Sequence, residues 1–218
     1  MLSESLFMPS RSIIEYAEEI TKPESAILNL IYRETNLKVM NPIMLSGHLQ
    51  GKLLSLLSSM IRPQVALEVG TFTAYSAICI AQGLRDKGKL FTIESNPELE
   101  EICRKNIAAS GMQEKINLLI GDAREVIKKI SEPIDLVYID CDKEIYLEIY
   151  KLVFDKVVSG GFIIADNVLW HGKILDKDEQ NYRGTQSIKE FNEYVRNDKR
   201  ADNLLLPFRD GLMIIQKY

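Results

Sequence analysis

The sequence has few of the residues that mark several common classes of protein. Its 218 residues include 3 cysteines, 2 histidines and 1 tryptophan, and 27 lysines and arginines stand against 31 acidic residues. Cys79, Cys103 and Cys141 are an odd number without metal-type spacing, so we predict reduced core cysteines rather than disulfides or a zinc site. The net charge of −4 gives no attraction for nucleic acid, so the expected ligand is a small molecule.

Long apolar stretches are also missing. No run approaches the ~18 residues that a membrane-spanning helix requires, and the amino terminus has no positive segment followed by an apolar core. These features predict a cytoplasmic protein without a membrane partner. The apolar fraction of 46% still allows a sizeable core. We therefore expect one domain over 1–218, with an amino-terminal helical cap over 1–62 and an α/β core over 63–218.

Short apolar strands and helical segments alternate along the core, which is typical of a parallel sheet with helices on both faces. The Asp210-Gly211 turn between the last two strands favours a hairpin, so this Rossmann-like α/β sheet should end antiparallel. Seven strands are expected, over 65–69, 89–94, 116–120, 135–140, 160–166, 204–208 and 211–216. Helices are expected over 76–81, 96–109, from 124, over 146–157 and over 185–195.

Apolar residues at helical spacing also predict helices before the first strand, over about 9–37 and 46–61. Thr21 is expected to cap the second of them with Pro23 in its first turn, and Ser46 to cap the third. These helices are additions to the sheet unit. They are available as a lid over a ligand or as a partner surface.

The first predicted strand ends in Glu68-Val69-Gly70, and the chain then turns into a helix. Gly70 permits a tight turn and close approach of a ligand, and the N–H groups that open the helix would face that ligand. A dinucleotide site normally has three glycines here, and a carboxylate would repel the pyrophosphate. Glu68 instead favours a ligand with a positive charge.

Acidic residues end or follow five different strands, at the edge where open α/β sheets bind ligands. They are Glu68, Glu94, Asp122, Asp140 and Asp166. A single acid in such a position is usually a helix cap. Five at the same edge indicate a binding site.

The first three of these acids predict a nucleoside ligand. Glu94 ends the second strand, where a carboxylate typically accepts both hydroxyls of a ribose. Asp122 can accept an amino group while the Ala123 backbone meets the edge of an aromatic base. Together with Glu68, these residues predict a nucleoside that carries a positively charged appendage.

The other two acids, Asp140 and Asp166, form a second group with Asn167. Hard oxygen ligands of this kind suit Mg²⁺, Mn²⁺ or Ca²⁺, whereas zinc usually recruits histidine or cysteine. Lys143 follows Asp140 by three residues and would lie close to the cation. The spacing alone fits a solvated helix lysine equally well.

Four segments of the core carry a recognisable pattern. They are 68–76 (EVGTFTAYS), 140–146 with Asp140, Lys143 and Tyr146, 160–170 with Gly160-Gly161 and Asp166-Asn167-Val168-Leu169-Trp170, and 206–212 (LPFRDGL). In this order they resemble the cation-dependent, S-adenosylmethionine-dependent O-methyltransferases of the caffeoyl-coenzyme A and catechol type. The resemblance extends from about Ile43 to Gln216.

This resemblance implies a class I methyltransferase fold, a homodimer and a set of site residues. The cofactor, S-adenosylmethionine, would be held by Glu68, Gly70, Thr71 and Ser76 with Ser46 and Asp142 nearby, by Glu94 at the ribose, and by Asp122 and Ala123 at the adenine. A divalent cation would be held by Asp140, Asp166 and Asn167, with Lys143 as the base and Trp170 beside the aromatic acceptor. Catechols are the implied acceptors because both of their oxygens can chelate the cation.

The sequence departs from the family pattern at two places. Ala74 stands where the family usually has glycine, which narrows the cofactor turn slightly. His171 leads into a charged stretch, Asp176 to Glu179, that with the amino-terminal helices would shape the acceptor site.

Three other functions are weighed against this one. A nucleotide-dependent oxidoreductase would use Glu94 equally well, but the single Gly70 and the adjacent Glu68 argue against it. A metal-dependent hydrolase would explain Asp140 and Asp166, but it would not explain Glu68, Glu94 and Asp122. A non-catalytic binding protein would keep the fold and use the amino-terminal helices as its partner surface.

Overall fold

A seven-stranded sheet organises the chain. The structure is a computed structural model that describes residues 10–176 and 182–218. The strands are β1 (Val65–Val69), β2 (Lys89–Glu94), β3 (Ile116–Ile120), β4 (Ile134–Ile139), β5 (Val157–Asp166), β6 (Ala201–Leu206) and β7 (Leu212–Lys217). Their order across the sheet is β3-β2-β1-β4-β5-β7-β6. The first five pair in parallel and β7 is antiparallel to both β5 and β6, which confirms the predicted sheet.

Helices cover both faces of this sheet. They are α1 (Arg11–Ile20), α2 (Ala26–Lys38), α3 (Gly47–Ile61), α4 (Tyr75–Ala81), α5 (Glu100–Ala109), α6 (Ala123–Lys129), α7 (Tyr146–Phe154) and α8 (Arg183–Asn197). Neighbouring side chains of a strand point to opposite faces. Leu67 of β1 accordingly packs in a core with α6, α7 and α8, whereas Ala66 packs in a second core with α2 to α5.

The amino-terminal helices differ in how they attach. Leu28 and Ile31 of α2 and Leu54 of α3 are buried in the second core. Helix α1 buries none of its residues. Both α2 and α3 therefore belong to the packed body of the protein, while α1 lies on its surface.

Several element ends differ from the prediction because local contacts decide them. The predicted capping role of Thr21 is wrong: Thr21 ends α1, and its hydroxyl donates to the carbonyl of Ala17 at 2.6 Å. Ser25 caps α2 instead, by accepting a hydrogen bond from the N–H of Leu28. Strand β6 begins three residues before the predicted start because Ala201 already pairs with Lys217 of β7.

The described cysteines are all free. Cys79 and Cys103 are buried in the second core, as predicted. Cys141, which follows the end of β4, is only partly buried but packs against the first core, so the prediction of a core residue is confirmed in part. In residues 10–176 and 182–218, no helix combines the length and apolar character needed to cross a membrane.

Candidate functional site

The carboxyl ends of β1 to β5 border a cavity of about 1370 Å³. The strand order reverses at β1, with β2 on one side and β4 on the other, and such switch points are where open α/β sheets bind ligands. Every predicted site residue except Glu68 lines this cavity. They are Ser46, Gly70, Thr71, Ser76, Glu94, Asp122, Ala123, Asp140, Asp142, Lys143, Asp166, Asn167 and Trp170.

The turn after β1 depends on a glycine. Gly70 has a φ of +106°, and a Cβ atom there would lie 1.9 Å from the carbonyl oxygen of Asp140. The N–H groups of Gly70 and Thr71 donate to the carbonyl of Ile93 at 2.9 and 3.2 Å. These two amides are therefore satisfied within the protein, and a ligand would contact other groups of the turn. Ala74 also has a positive φ, +67°, in the region that favours glycine.

Glu68 is fully buried next to the cavity rather than on its wall. Its Oε2 atom accepts a hydrogen bond from the Thr92 hydroxyl, and its Oε1 atom has no hydrogen-bond partner. Burial raises the pKa of Glu68 to about 8, because surroundings without water disfavour the carboxylate, although the nearby hydroxyls of Ser76 and Thr92 oppose the shift. A buried carboxylate oxygen without a donor is suited to a cationic partner.

Glu94 is fixed at the end of β2 by backbone groups. Its Oε2 atom accepts a hydrogen bond from the N–H of Phe72, and its Oε1 atom accepts one from the N–H of Asn96, both at 2.8 Å. Each carboxylate oxygen can accept a further hydrogen bond. The carboxylate is therefore held rigidly at the cavity wall with acceptor capacity for the hydroxyls of a ligand.

Asp122 and Asp142 act as caps, which is what a single acid after a strand usually does. Asp122 accepts from the N–H of Arg124 at 2.8 Å, and its carboxylate also pairs with the Arg124 guanidinium. These contacts lower the pKa of Asp122 to about 2. Asp142 accepts from the N–H of Glu144 at 3.0 Å and begins the 3-10 segment Lys143–Ile145. Both acids also line the cavity.

Lys143 is held against the cavity rather than solvated. Its side chain is 12% exposed, and Nζ donates to Asp140 Oδ1 at 2.9 Å and to the Tyr146 hydroxyl at 2.8 Å. The Tyr146 hydroxyl in turn donates to the carbonyl of Asp166 at 2.9 Å. The ends of β4 and β5 are therefore joined through one lysine and one tyrosine, and the solvated alternative for Lys143 is wrong.

Asp166 lies at the centre of a network that the sequence reasoning missed. Its Oδ2 atom accepts hydrogen bonds from Gln50 of α3 and from the Tyr138 hydroxyl. The Gln50 side chain spans to the β6–β7 loop, where its Oε1 atom accepts from Arg209 Nη1 at 2.7 Å. A sequence signal for Gln50 existed, because it shares the buried face of α3 with Leu54 one turn later.

The donor set at β4 and β5 fits a hard divalent cation in its chemistry. Burial raises the pKa of Asp166, and the nearby Asp140 charge raises it further, because two carboxylates in one site repel each other. A divalent cation removes that repulsion, and Asn167 adds an amide oxygen to the set. Among residues 10–176 and 182–218 there is no group of three or more His, Cys, Asp or Glu side chains that could hold a metal ion. The set consists of two carboxylates and one amide.

The far wall of the cavity is formed by the loop after β5. Trp170 and His171 have φ values of +50° and +54°, so the chain turns sharply there, and their rings lie 5.8 Å apart. The N–H of His171 donates to Asp210 Oδ1, which ties this loop to the β6–β7 loop. Asp176 is the last described residue of the predicted charged stretch; its other members, Lys177 to Glu179, lie outside the described residues.

Comparison with known proteins gives a consistent result. The O-methyltransferase family model matches residues 18–218. Catechol O-methyltransferase of Niastella koreensis is 31% identical over 161 residues, which cover 72% of this chain and 72% of that protein. Caffeoyl-CoA O-methyltransferase 1 of Nicotiana tabacum is 32% identical over 181 residues, which cover 77% and 75%.

The fold is similar to solved structures as well. The O-methyltransferase from Bacillus cereus, crystallised in complex with SAH, matches with a TM-score of 0.89. The match covers 95% of this chain and 97% of that chain at 24% sequence identity. At this identity the likeness concerns the fold.

Proposed function

Because this chain belongs to the O-methyltransferase family, we propose that it transfers a methyl group from S-adenosylmethionine to a hydroxyl of a catechol-like aromatic acceptor. Lys143 would act as the base, and Asp140, Asp166 and Asn167 would hold a divalent cation that assists the transfer. Family membership favours this reaction over the oxidoreductase and hydrolase alternatives.

One observation carries the proposal. A single cavity is lined on the β2 and β3 side by Glu94 and Asp122, and on the β4 and β5 side by Asp140 and Asp166. A nucleoside cofactor and a cation-bound acceptor would therefore meet in one space. Most of the catalysis would come from positioning two bound reactants.

On the cofactor side, the residues would act by charge and hydrogen bonding. Glu94, fixed by two backbone N–H groups, would accept the ribose hydroxyls. Asp122 and Ala123, at the start of α6, would meet the adenine. The unpartnered Oε1 atom of Glu68 supports an ammonium group as its partner, and the cofactor's methionine part carries one. The other residues proposed for the cofactor also line the cavity: Ser46, Gly70, Thr71, Ser76 and Asp142.

On the acceptor side, Asp140, Asp166 and Asn167 would hold Mg²⁺, Mn²⁺ or Ca²⁺. When bound, the cation stabilises an ionised acceptor hydroxyl as a Lewis acid. Lys143, positioned by Asp140 and Tyr146, would accept the hydroxyl proton at Nζ in its neutral form. Trp170 would pack beside the acceptor ring.

The test is transfer of a labelled methyl group from S-adenosylmethionine to catechol and caffeic acid, with Mg²⁺ and with EDTA. We expect transfer that EDTA abolishes. Lys143→Ala should lower the single-turnover rate about 10²- to 10⁴-fold, the usual contribution of a general base. It should leave cofactor binding, measured by calorimetry, nearly unchanged. An unchanged single-turnover rate in Lys143→Ala would remove the lysine from the mechanism, and EDTA-resistant transfer would remove the cation.

We also propose a cytoplasmic homodimer. The three free thiols fit a reducing compartment. Helix α1 exposes Ile13, Tyr16 and Ile20 at 58%, 64% and 67%, and apolar surface of this kind is typical of a subunit interface. Light scattering of the purified chain tests the dimer. A monomer at micromolar concentration would refute it.

A further inference from the structure

We propose that Arg209 selects acceptors that carry a carboxylate, on or near the catechol ring. This proposal rests on the proposed methyl transfer and adds its substrate class. It assigns a specificity role to a residue of the β6–β7 loop that is outside the cofactor and cation groups described above.

Arg209 differs from the other cationic side chains of the cavity in its partner. Four lysine and arginine side chains line the cavity among the described residues: Lys38, Arg124, Lys143 and Arg209. The first three each lie within 3.2 Å of a carboxylate, that of Glu34, Asp122 and Asp140 respectively. Within the part of the chain that the structure describes, Arg209 has a neutral partner instead, the Gln50 amide. Of these four charges, only that of Arg209 lacks a carboxylate partner among residues 10–176 and 182–218.

Arg209 also has unused hydrogen-bond donors. A guanidinium group has five N–H donors, and the Gln50 contact uses one of them. Arg209 is exposed and lines the cavity, so the remaining donors are open to a ligand. Arginine and a carboxylate form two parallel hydrogen bonds in a fixed planar geometry. A carboxylate is therefore the group that best matches the unused donors.

The backbone of Arg209 is strained. Arg209 has a φ of +51°, a left-handed conformation that costs about 1–2 kcal/mol for a residue other than glycine. The same turn contains Gly211 at a φ of +85°, where a Cβ atom would lie 2.5 Å from the Leu169 side chain. The contact with Leu169 explains why residue 211 is a glycine. Packing does not explain why an arginine occupies the strained position 209. Strain of this kind is concentrated at ligand-binding sites.

Gln50 connects Arg209 to the proposed cation site. Gln50 contacts Arg209 through its amide oxygen and Asp166 through its amide nitrogen, so a single carboxamide separates the guanidinium from the proposed cation ligand. An acceptor whose hydroxyls face Asp166 would therefore place a ring substituent toward Arg209. The methionine part of the cofactor also carries a carboxylate. We assign Arg209 to the acceptor because its partner Gln50 also donates a hydrogen bond to Asp166, a proposed cation ligand.

The experiment compares two acceptors that differ in charge and little else, 3,4-dihydroxybenzoate and its methyl ester. We expect wild-type kcat/KM to favour the acid. Arg209→Gln should lower kcat/KM for the acid about 10- to 100-fold, the range for a charge-assisted hydrogen bond, and leave the ester nearly unchanged. Arg209→Lys should retain part of the preference. Lys38→Gln removes a paired cation from the same cavity and should leave the preference intact.

Three results would overturn the proposal. Equal loss for acid and ester would mean that Arg209 acts on Asp166 through Gln50. A raised KM for S-adenosylmethionine with an unchanged acid-to-ester ratio would assign Arg209 to the cofactor carboxylate. If the wild type does not prefer the acid over the ester, the acceptor does not need a carboxylate. If neither compound is methylated, the test is calorimetric binding of the two acceptors to protein loaded with S-adenosylhomocysteine. Tighter binding of the acid, with the difference lost in Arg209→Gln, would support the proposal. Equal binding of acid and ester would refute it.

Discussion

Replacement of Glu68 by glutamine should make the free protein more stable than the wild type at neutral pH. Glu68 is fully buried, and its pKa is raised from the usual 4.5 to about 8. Between these values the folded protein keeps a proton on Glu68 that the unfolded chain releases. The free energy of unfolding therefore falls as the pH rises from about 4.5 to about 8.

The size of the effect follows from the shift. Each pH unit in this window costs about 1.4 kcal/mol, so the wild type should lose on the order of 3 kcal/mol between pH 5 and pH 7 from this residue. Glutamine does not titrate and its amide oxygen can still accept the hydrogen bond from Thr92. The difference in stability between Glu68→Gln and wild type should grow by that amount over the window and level off above pH 8.

The measurement is urea unfolding followed by the fluorescence of Trp170, the single tryptophan, at pH 5, 6, 7 and 8.5. Glu114→Gln is a matched control because Glu114 is exposed, so the same substitution there should leave the pH profile unchanged. Parallel profiles for wild type and Glu68→Gln would refute the reasoning, since they would mean that Glu68 gives up its proton equally in both states. Glu68→Gln should also weaken S-adenosylmethionine binding if the carboxylate pairs with its ammonium group.

Three further predictions follow from single contacts. Gly70→Ala should cost more than about 3 kcal/mol in urea unfolding, because its Cβ atom would meet a backbone carbonyl at 1.9 Å; a cost below 1 kcal/mol would contradict this. Gln50→Leu removes a donor from buried Asp166 and should lower Mn²⁺ affinity about 10- to 100-fold by calorimetry, whereas unchanged affinity would separate Gln50 from the cation site. Asp198→Asn should destabilise the protein at pH 7 by on the order of 1 kcal/mol, because Arg200 lowers the pKa of Asp198 to about 2. That stabilisation is present above about pH 4 and is lost toward pH 2, so wild type and Asp198→Asn should converge in acid, and a constant gap would exclude the ion pair as its source.

The sheet was predictable because its signals are local. The alternation of strands and helices after Val65 requires a parallel sheet, and Asp210-Gly211 marks the hairpin that reverses the last strand. Element ends were less predictable, because Ser25 rather than Thr21 caps α2 and because β6 starts where its partner strand allows. The family resemblance is confirmed by the O-methyltransferase match over 18–218.

The site residues are a different case. Their place along the chain follows from strand ends, and the common cavity follows from the sheet, since the carboxyl ends of parallel strands meet at one edge. Their assigned roles in binding and catalysis stay predictions. Asp122 and Asp142 illustrate why, because each is at once a helix cap and a residue of the cavity wall.

By itself, the sequence determined the fold class, the edge of the sheet where the cavity lies and the types of side chain at that edge. Tertiary structure alone decided which of those side chains are buried, which are paired and which have a free charge. Glu68 is fully buried, and Lys143 donates a hydrogen bond to Asp140. Gln50 contacts Asp166, 116 positions later in the chain, and Arg209, 159 positions later. Periodicity and turn residues act over a few neighbours, whereas burial and the Gln50 contacts depend on residues that are distant in sequence and adjacent only in the folded protein.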